Sequence, residues 1–384
     1  MYDLGSLGLE EGKDKYIKAQ RQDRYLHFPS CPLKMSSSIP VGSSGVSLSY
    51  LDSGAPSKVG NYITIFAVHG VGFNAHIFEK VQTAASQAGL RFVSLNRRGY
   101  GTSTNFSSEE KNIIVQSAGA TDEQQLKLGA EALKTGGHEI ALFIDSFIQK
   151  HDLPPFDPKT QTGGVAILGW SAGIYFVLSA AANVDSLPAE ASERLAAHIR
   201  ALIIHDAPGI GRAPPPNSWT PVFNPTIPEE LRLPFFAQWV TGYFNHGDLS
   251  TRDPNVVSHV VPATSPIPSI YNMTQEEIAR ATNDPIGALD VAQLVFLAPH
   301  LAGAFRKAFF DKKIKQILPY MKISAFCGEQ TGGYGPSTLW DIEDEDKEHG
   351  GGHVKTRLVP KANHFIHWDD PARSLEVYLS CIQD

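Results

Sequence analysis

Gly169-Trp170-Ser171-Ala172-Gly173 is the stretch on which the fold of this chain turns. It fits Gly-x-Ser-x-Gly, follows a short apolar run over residues 164–168 and precedes a longer one over 174–182. The first run reads as a buried strand and the second as a helix, so the serine falls on a sharp strand-to-helix turn. Glycines two residues either side of Ser171 suit that turn, because a Cβ at those places would collide with the crowded backbone. The turn would hold the hydroxyl clear of the sheet, with the positive end of the following helix directed at it. The five residues alone recur by chance, so the surrounding chain has to decide.

Working outward, Val46-Ser47-Leu48-Ser49-Tyr50 alternates like a half-buried strand, and residues 62–68 read as a central strand ending in His69-Gly70-Val71-Gly72. A helical segment over 77–88 leads to a strand at 92–95, and residues 121–150 read as one long helix or two, broken near Gly136-Gly137. After the serine turn come a strand at 201–206, then strands at 323–327 and 356–359 and a closing helix over 371–381. Between residue 207 and about 318 the alternation stops, and prolines, aromatics and helical pieces near 229–244, 275–282 and 288–310 take over. Strands alternating with helices predict an α/β fold, a mainly parallel sheet covered by helices on both faces. The expected organisation is an N-terminal arm (1–40), a core (41–206 and 319–384) and a helical lid (207–318).

Composition narrows the function. Hydrophobic residues make up 42% of the 384 and charged ones 19%, enough to bury a substantial core. The net charge of −7, without a lysine or arginine block, argues against nucleic acid or an anionic membrane as partner. Three scattered cysteines form no disulfide framework, and Cys327 reads as core. Residues 1–20 carry no apolar signal region, and no stretch approaches the roughly 18 apolar residues of a membrane span. A cytoplasmic enzyme is therefore expected. Residues 341–353, acidic and glycine-rich with His349 and His353, read as a solvated loop rather than a metal site, and no cofactor or metal is expected.

A serine hydroxyl is a weak nucleophile until a base takes its proton and a third group orients that base. Asn363-His364-Phe365, between the last strand and the last helix, supplies the candidate base; His367 reads as structural. Two backbone N–H groups should face the developing oxyanion. One is expected from Ala172, the other from His69-Gly70-Val71-Gly72-Phe73, with Val71 the first candidate and Gly72 the second. The small Gly70 and Gly72 would let this backbone approach a substrate, and Phe73 and Trp170 are placed to line its pocket. A third signal, Arg98-Gly99-Tyr100-Gly101-Thr102-Ser103, suits a turn packed beside the oxyanion segment.

With His69-Gly70, that arginine turn, Gly-x-Ser-x-Gly and the late histidine in this order, the chain resembles the α/β-hydrolase superfamily over about residues 46–206 and 320–384. The resemblance implies an α/β-hydrolase fold with a helical cap inserted after the sixth strand, and a triad in the order serine, acid, histidine. The usual acid position, three residues past Gly328, holds Thr331. That leaves Asp206, after the sixth strand, and Glu329, with Asp206 preferred. Asn363 stands where a glycine often precedes the histidine. Epoxide hydrolases of this fold carry Asp at the turn, so Ser171 points instead to serine hydrolases with large lids, including lipase-like and secondary-metabolite enzymes. Under the aromatic lid (Trp219, Phe223, Phe235, Phe236, Trp239, Tyr243, Phe244), the expected reaction is cleavage of an ester, lactone or related acyl bond of a hydrophobic small molecule. Two rivals remain: acyl transfer, cyclisation or C–C cleavage by the same residues, and a small-molecule binding protein on the same scaffold.

Overall fold

The apolar runs become strands of one eight-stranded sheet in a computed structural model that describes residues 37–42, 45–57, 60–282, 284 and 286–383. The strands are β1 (Ser37–Pro40), β2 (Ser47–Asp52), β3 (Thr64–Val68), β4 (Arg91–Leu95), β5 (Val165–Trp170), β6 (Ile199–His205), β7 (Lys322–Gly328) and β8 (Lys355–Val359). They lie in the order β1-β2-β4-β3-β5-β6-β7-β8. β2 runs antiparallel to both β1 and β4, and every pair from β4 to β8 is parallel. Most of the N-terminal arm expected over 1–40 lies outside the described residues, but its last four form the edge strand β1.

Helices cover both faces. They are α1 (Glu79–Gln87), α2 (Ser108–Ser117), α3 (Glu123–His151), α4 (Gly173–Ala182), α5 (Ala189–His198) and α6 (Glu229–Val240). The chain continues with α7 (Gln275–Thr282), α8 (Gly287–Phe310), α9 (Lys312–Ile317), α10 (Tyr334–Glu348), α11 (Ile366–Asp369) and α12 (Pro371–Gln383). Side chains alternate across a strand. Phe66 and Val68 of β3 accordingly join a core with α3, α4 and α8, while Ile65 and Ala67 join a second core with α1 and α12. Covered on both sides, β3, β5 and β6 are buried along their whole length, which is why they read as continuous apolar runs.

Three expectations change, and one open reading is decided. β2 is buried beyond its first residue rather than half-buried, because the polar Ser49 finds partners inside: its N–H donates to Ser103 Oγ at 2.8 Å and its Oγ accepts from Asn96 Nδ2 at 3.0 Å. The segment read as one long helix or two is a single helix, residues 123–151. Gly137 is there for close approach, since a Cβ on it would sit 2.5 Å from the backbone of Ser179 on α4. Residues 341–348 belong to α10 rather than to a loop, anchored by buried Glu345, which pairs with Arg212 and Arg306. Finally, α8 is long and apolar enough, by length and composition, to cross a membrane. Here Phe296, Leu297, Leu301, Phe305 and Phe309 are buried in the core shared with α3 and α4. Within the insertion expected over 207–318, α8 therefore belongs to the core layer.

Candidate active site

Ser171 joins β5 to α4 with φ at +54°, a left-handed conformation that non-glycine residues seldom adopt. Packing enforces it. A Cβ at Gly173 would lie 2.1 Å from the Val68 carbonyl of β3, and one at Gly169 would lie 2.6 Å from Val177. The Ser171 N–H donates to the His205 carbonyl at 2.9 Å, tying the turn to the neighbouring strand. Gly70 closes in from the other side, where a Cβ would meet Ser171 Cβ at 2.6 Å and Oγ at 2.9 Å. The serine side chain is half-buried, and no hydrogen bond among the described residues engages its hydroxyl.

The segment after β3 is locked from behind. Arg97 forms a doubly hydrogen-bonded ion pair with Asp290 of α8, both distances 2.8 Å, and both residues are buried. The same guanidinium donates to the Gly70 carbonyl at 2.9 Å and the His69 carbonyl at 3.2 Å. The Arg97 N–H donates to His69 Nε2 at 3.1 Å, so the proton of this imidazole sits on Nδ1, which donates to the Gly70 carbonyl at 2.9 Å. Burial, reinforced by the adjacent Arg97 charge, holds the His69 pKa well below the usual histidine range, in keeping with that neutral tautomer. A trans peptide carries its C=O and N–H in opposite directions. Two donors fixed on the Gly70 carbonyl thus fix the Val71 N–H pointing the other way. Gly72, the second candidate, is engaged: its N–H donates to Tyr100 Oη at 3.1 Å, and Tyr100 in turn donates to Asp290. No hydrogen bond among the described residues uses the N–H of Val71 or Ala172.

Sequence reasoning found the arginine turn but missed Asp290, which lies in a segment assigned to the lid. Removing one partner of a buried ion pair leaves the other charged and desolvated. Asp290→Ala should therefore lower unfolding stability by about 3–5 kcal/mol, measurable by denaturant titration. A loss below about 1 kcal/mol would mean Arg97 finds water or another acceptor.

His364 sits between β8 and α11, fully buried. Trp170 supports it twice: its ring lies 4.8 Å from the imidazole and its Nε1–H donates to the His364 carbonyl at 3.0 Å. Trp170 and Phe73, expected to line a pocket, are instead buried at 1% exposure and packed with Phe365 beneath the histidine loop. Asn363 anchors that loop to the insertion, its Nδ2 donating to the Thr241 carbonyl at 3.0 Å and to Ser269 Oγ at 2.8 Å.

Of the two acid candidates, the structure brings Asp206 to His364. Its Oδ2 lies 3.7 Å from His364 Nδ1 and 3.3 Å from His205 Nε2, while its Oδ1 accepts from the Gly328 N–H at 3.1 Å. Burial pushes this carboxyl up, but the two imidazoles facing it outweigh burial and hold it below the usual carboxylate range. Glu329 is engaged elsewhere, accepting from the Lys361 N–H at 2.8 Å in the turn after β8. His205, to which the sequence reading gave no role, extends the array: its Nδ1 faces Tyr378 Oη at 3.1 Å. If the hydroxyl donates there, His205 Nε2 carries the proton that faces Asp206. His367 is packed against Phe78, Trp170 and Phe365, and burial keeps it neutral. His364 Nε2 is buried without a partner. Register places Trp170 of β5 opposite His205 of β6, so Ser171 and Asp206 leave adjacent strands side by side. Among the described residues no group of three or more His, Cys, Asp or Glu is placed to hold a metal ion.

The sequence matches the family model described as the alpha/beta hydrolase family over residues 65–377. No curated protein matches the chain. Among solved structures, bromoperoxidase from Bacillus anthracis has a TM-score of 0.51 at 14% identity, covering 91% of this chain and 100% of that one. Epoxide hydrolase A from Mycobacterium thermoresistibile has a TM-score of 0.51 at 12% identity, covering 91% and 98%. A laboratory-evolved variant of potato epoxide hydrolase has a TM-score of 0.50 at 13% identity, covering 91% and 99%. At such identities the likeness is one of fold.

Proposed function

The chain belongs to the alpha/beta hydrolase family, and on that premise we propose that it is a serine hydrolase cleaving an ester, lactone or related acyl bond of a hydrophobic small molecule. The observation that carries this reading is the set of Ser171 on its left-handed turn, a buried His364 whose Nε2 has no hydrogen-bond partner, and the buried carboxylate of Asp206 3.7 Å from His364 Nδ1. Shortening the 3.7 Å between Nδ1 and Asp206 Oδ2 to hydrogen-bond length would hold the imidazole proton on Nδ1 and leave Nε2 as an acceptor.

His364 Nε2 takes the Ser171 proton as Oγ bonds to the substrate carbonyl carbon. The carbonyl oxygen becomes an oxyanion held by the Val71 and Ala172 N–H groups. As the bond to the leaving oxygen breaks, His364 returns the proton to it, giving an alcohol and an acyl-enzyme. Water then attacks the acyl carbon, gives one proton to His364, and displaces Ser171 Oγ, which recovers that proton. Asp206 stabilises the imidazolium in both halves.

The composition of the insertion supports the hydrophobic substrate class. Of ten large apolar side chains exposed among the described residues, seven (Phe223, Leu231, Phe235, Val260, Val261, Ile267 and Tyr271) fall within residues 207–282. Exposed apolar side chains in this number within one insertion suit an apolar ligand. The test is a fluorophosphonate probe, with the modified residue located by mass spectrometry. Adduct on Ser171 that disappears in His364→Ala supports the proposal; folded protein that stays unlabelled overturns it.

A further inference from the structure

A second site lies away from Ser171. A cavity of about 200 Å³ opens between α2, α3, α4 and α8, and neither Ser171, His364, Val71 nor Ala172 lines it. Ile113, Ile140, Phe176 and Phe296 give it apolar walls, and Glu139 of α3 stands among them. This carboxyl is poorly compensated. Arg98, the nearest cation, is already doubly hydrogen-bonded to Glu110 at 2.6 and 2.9 Å, and its Nη1 stays 3.6 Å from Glu139. Arg97, also in the wall, is neutralised by Asp290. No hydrogen bond among the described residues reaches the Glu139 carboxyl. With Glu139 ionised, the group Arg98, Glu110 and Glu139 carries one uncompensated negative charge in a largely apolar space. Burial, reinforced by Glu110 and opposed by Arg98, pushes this carboxyl up to about 7.

An apolar cavity with one unpaired carboxylate is complementary to an apolar stem that ends in a cation. We propose that this cavity binds a small apolar amine as its ammonium ion, with the stem among Ile113, Ile140, Phe176 and Phe296 and the ammonium on Glu139. An alcohol of the same shape would gain the stem contacts but no charge pairing, and a carboxylate would face a like charge. The volume suits roughly six to ten non-hydrogen atoms, by comparison with the ~150 Å³ cavity that admits benzene. The inference does not rest on the serine reading, and its test needs no turnover.

The test is calorimetric titration of the full chain with hexylamine, hexanol and hexanoate at pH 8 and pH 6. An alkylammonium resembles a lysine side chain, with a pKa of about 10, so it stays charged at both values. Glu139 changes between them, whereas the two arginines beside it stay charged and Glu110, held low by Arg98, stays ionised. A carboxyl titrating near 7 is mostly ionised at pH 8 and mostly neutral at pH 6. Hexylamine should therefore bind about tenfold more weakly at pH 6, hexanol equally at both, and hexanoate weakest at pH 8. E139Q should bring hexylamine down to the hexanol level. Hexylamine binding that is unaffected by pH, unaffected by E139Q, or matched by hexanol would overturn the proposal, and the pH comparison decides even if the variant does not fold.

Discussion

Ser171→Ala should lower kcat on an activated ester by about 10⁵-fold or more, with an unchanged thermal midpoint. The activity loss follows from the proposed chemistry. Without Oγ there is no acyl-enzyme, and the remaining Val71 and Ala172 N–H groups and binding contacts can only assist direct attack by water, a residue of about 10³–10⁴ over the uncatalysed rate. The unchanged stability follows from the structure. Ser171 Oγ makes no hydrogen bond among the described residues, so no buried partner is orphaned by its removal. Alanine keeps the Cβ that already packs against Gly70, and the positive φ is imposed by Gly173 against Val68 whichever small residue stands at 171. The measurement pairs initial rates with a melting curve. Activity within tenfold of the parent in a folded variant would remove the serine from the mechanism, and a large fall in melting temperature would show that the hydroxyl has a structural partner.

How much of this could be read from the chain depends on how local each signal is. The serine turn, the buried strands and α3 announce themselves within a few residues, since strand, turn and helix periodicity are properties of short windows. α2 carries a capping box, Ser107 with Glu110, yet the sequence reading missed it, because its weakly apolar sequence resembles a loop. What could not be read is long-range. Asp290 lies 193 residues from Arg97, and nothing near it in sequence marks it as the counter-ion of the arginine that holds the segment after β3. Trp170 looked like a pocket wall because it adjoins Ser171, whereas alternation along β5 turns it inward, under His364. The choice between Asp206 and Glu329 had the same character. Both follow strand ends, and only the sheet order, with β6 between β5 and β7, decides which carboxylate faces the imidazole.

That choice gives the second large effect. Asp206→Asn should reduce kcat/KM by about 10⁴-fold, while Glu329→Gln should stay within about threefold of the parent. The asymmetry is one of hydrogen-bond valence. In the parent, Oδ1 accepts from Gly328 and Oδ2 faces two imidazoles, His364 at 3.7 Å and His205 at 3.3 Å. An asparagine must keep its oxygen on the buried Gly328 N–H, because an orphaned donor there costs roughly 1–3 kcal/mol. Its NH₂ then faces both imidazoles. A donor opposite His364 Nδ1 favours the tautomer protonated on Nε2, which cannot accept the Ser171 proton. His205 meets the same NH₂, and accepting from it would place its own proton on Nδ1, opposite Tyr378 Oη. The hydroxyl can turn to accept that proton, so the fold should survive while catalysis does not. Glu329→Gln meets no such conflict, because an amide oxygen can still accept from Lys361. Initial rates for both variants on one ester decide between them: a fall in Glu329→Gln with Asp206→Asn near the parent would move the acid to the turn after β8, and equal falls would mean that neither carboxylate alone orients His364.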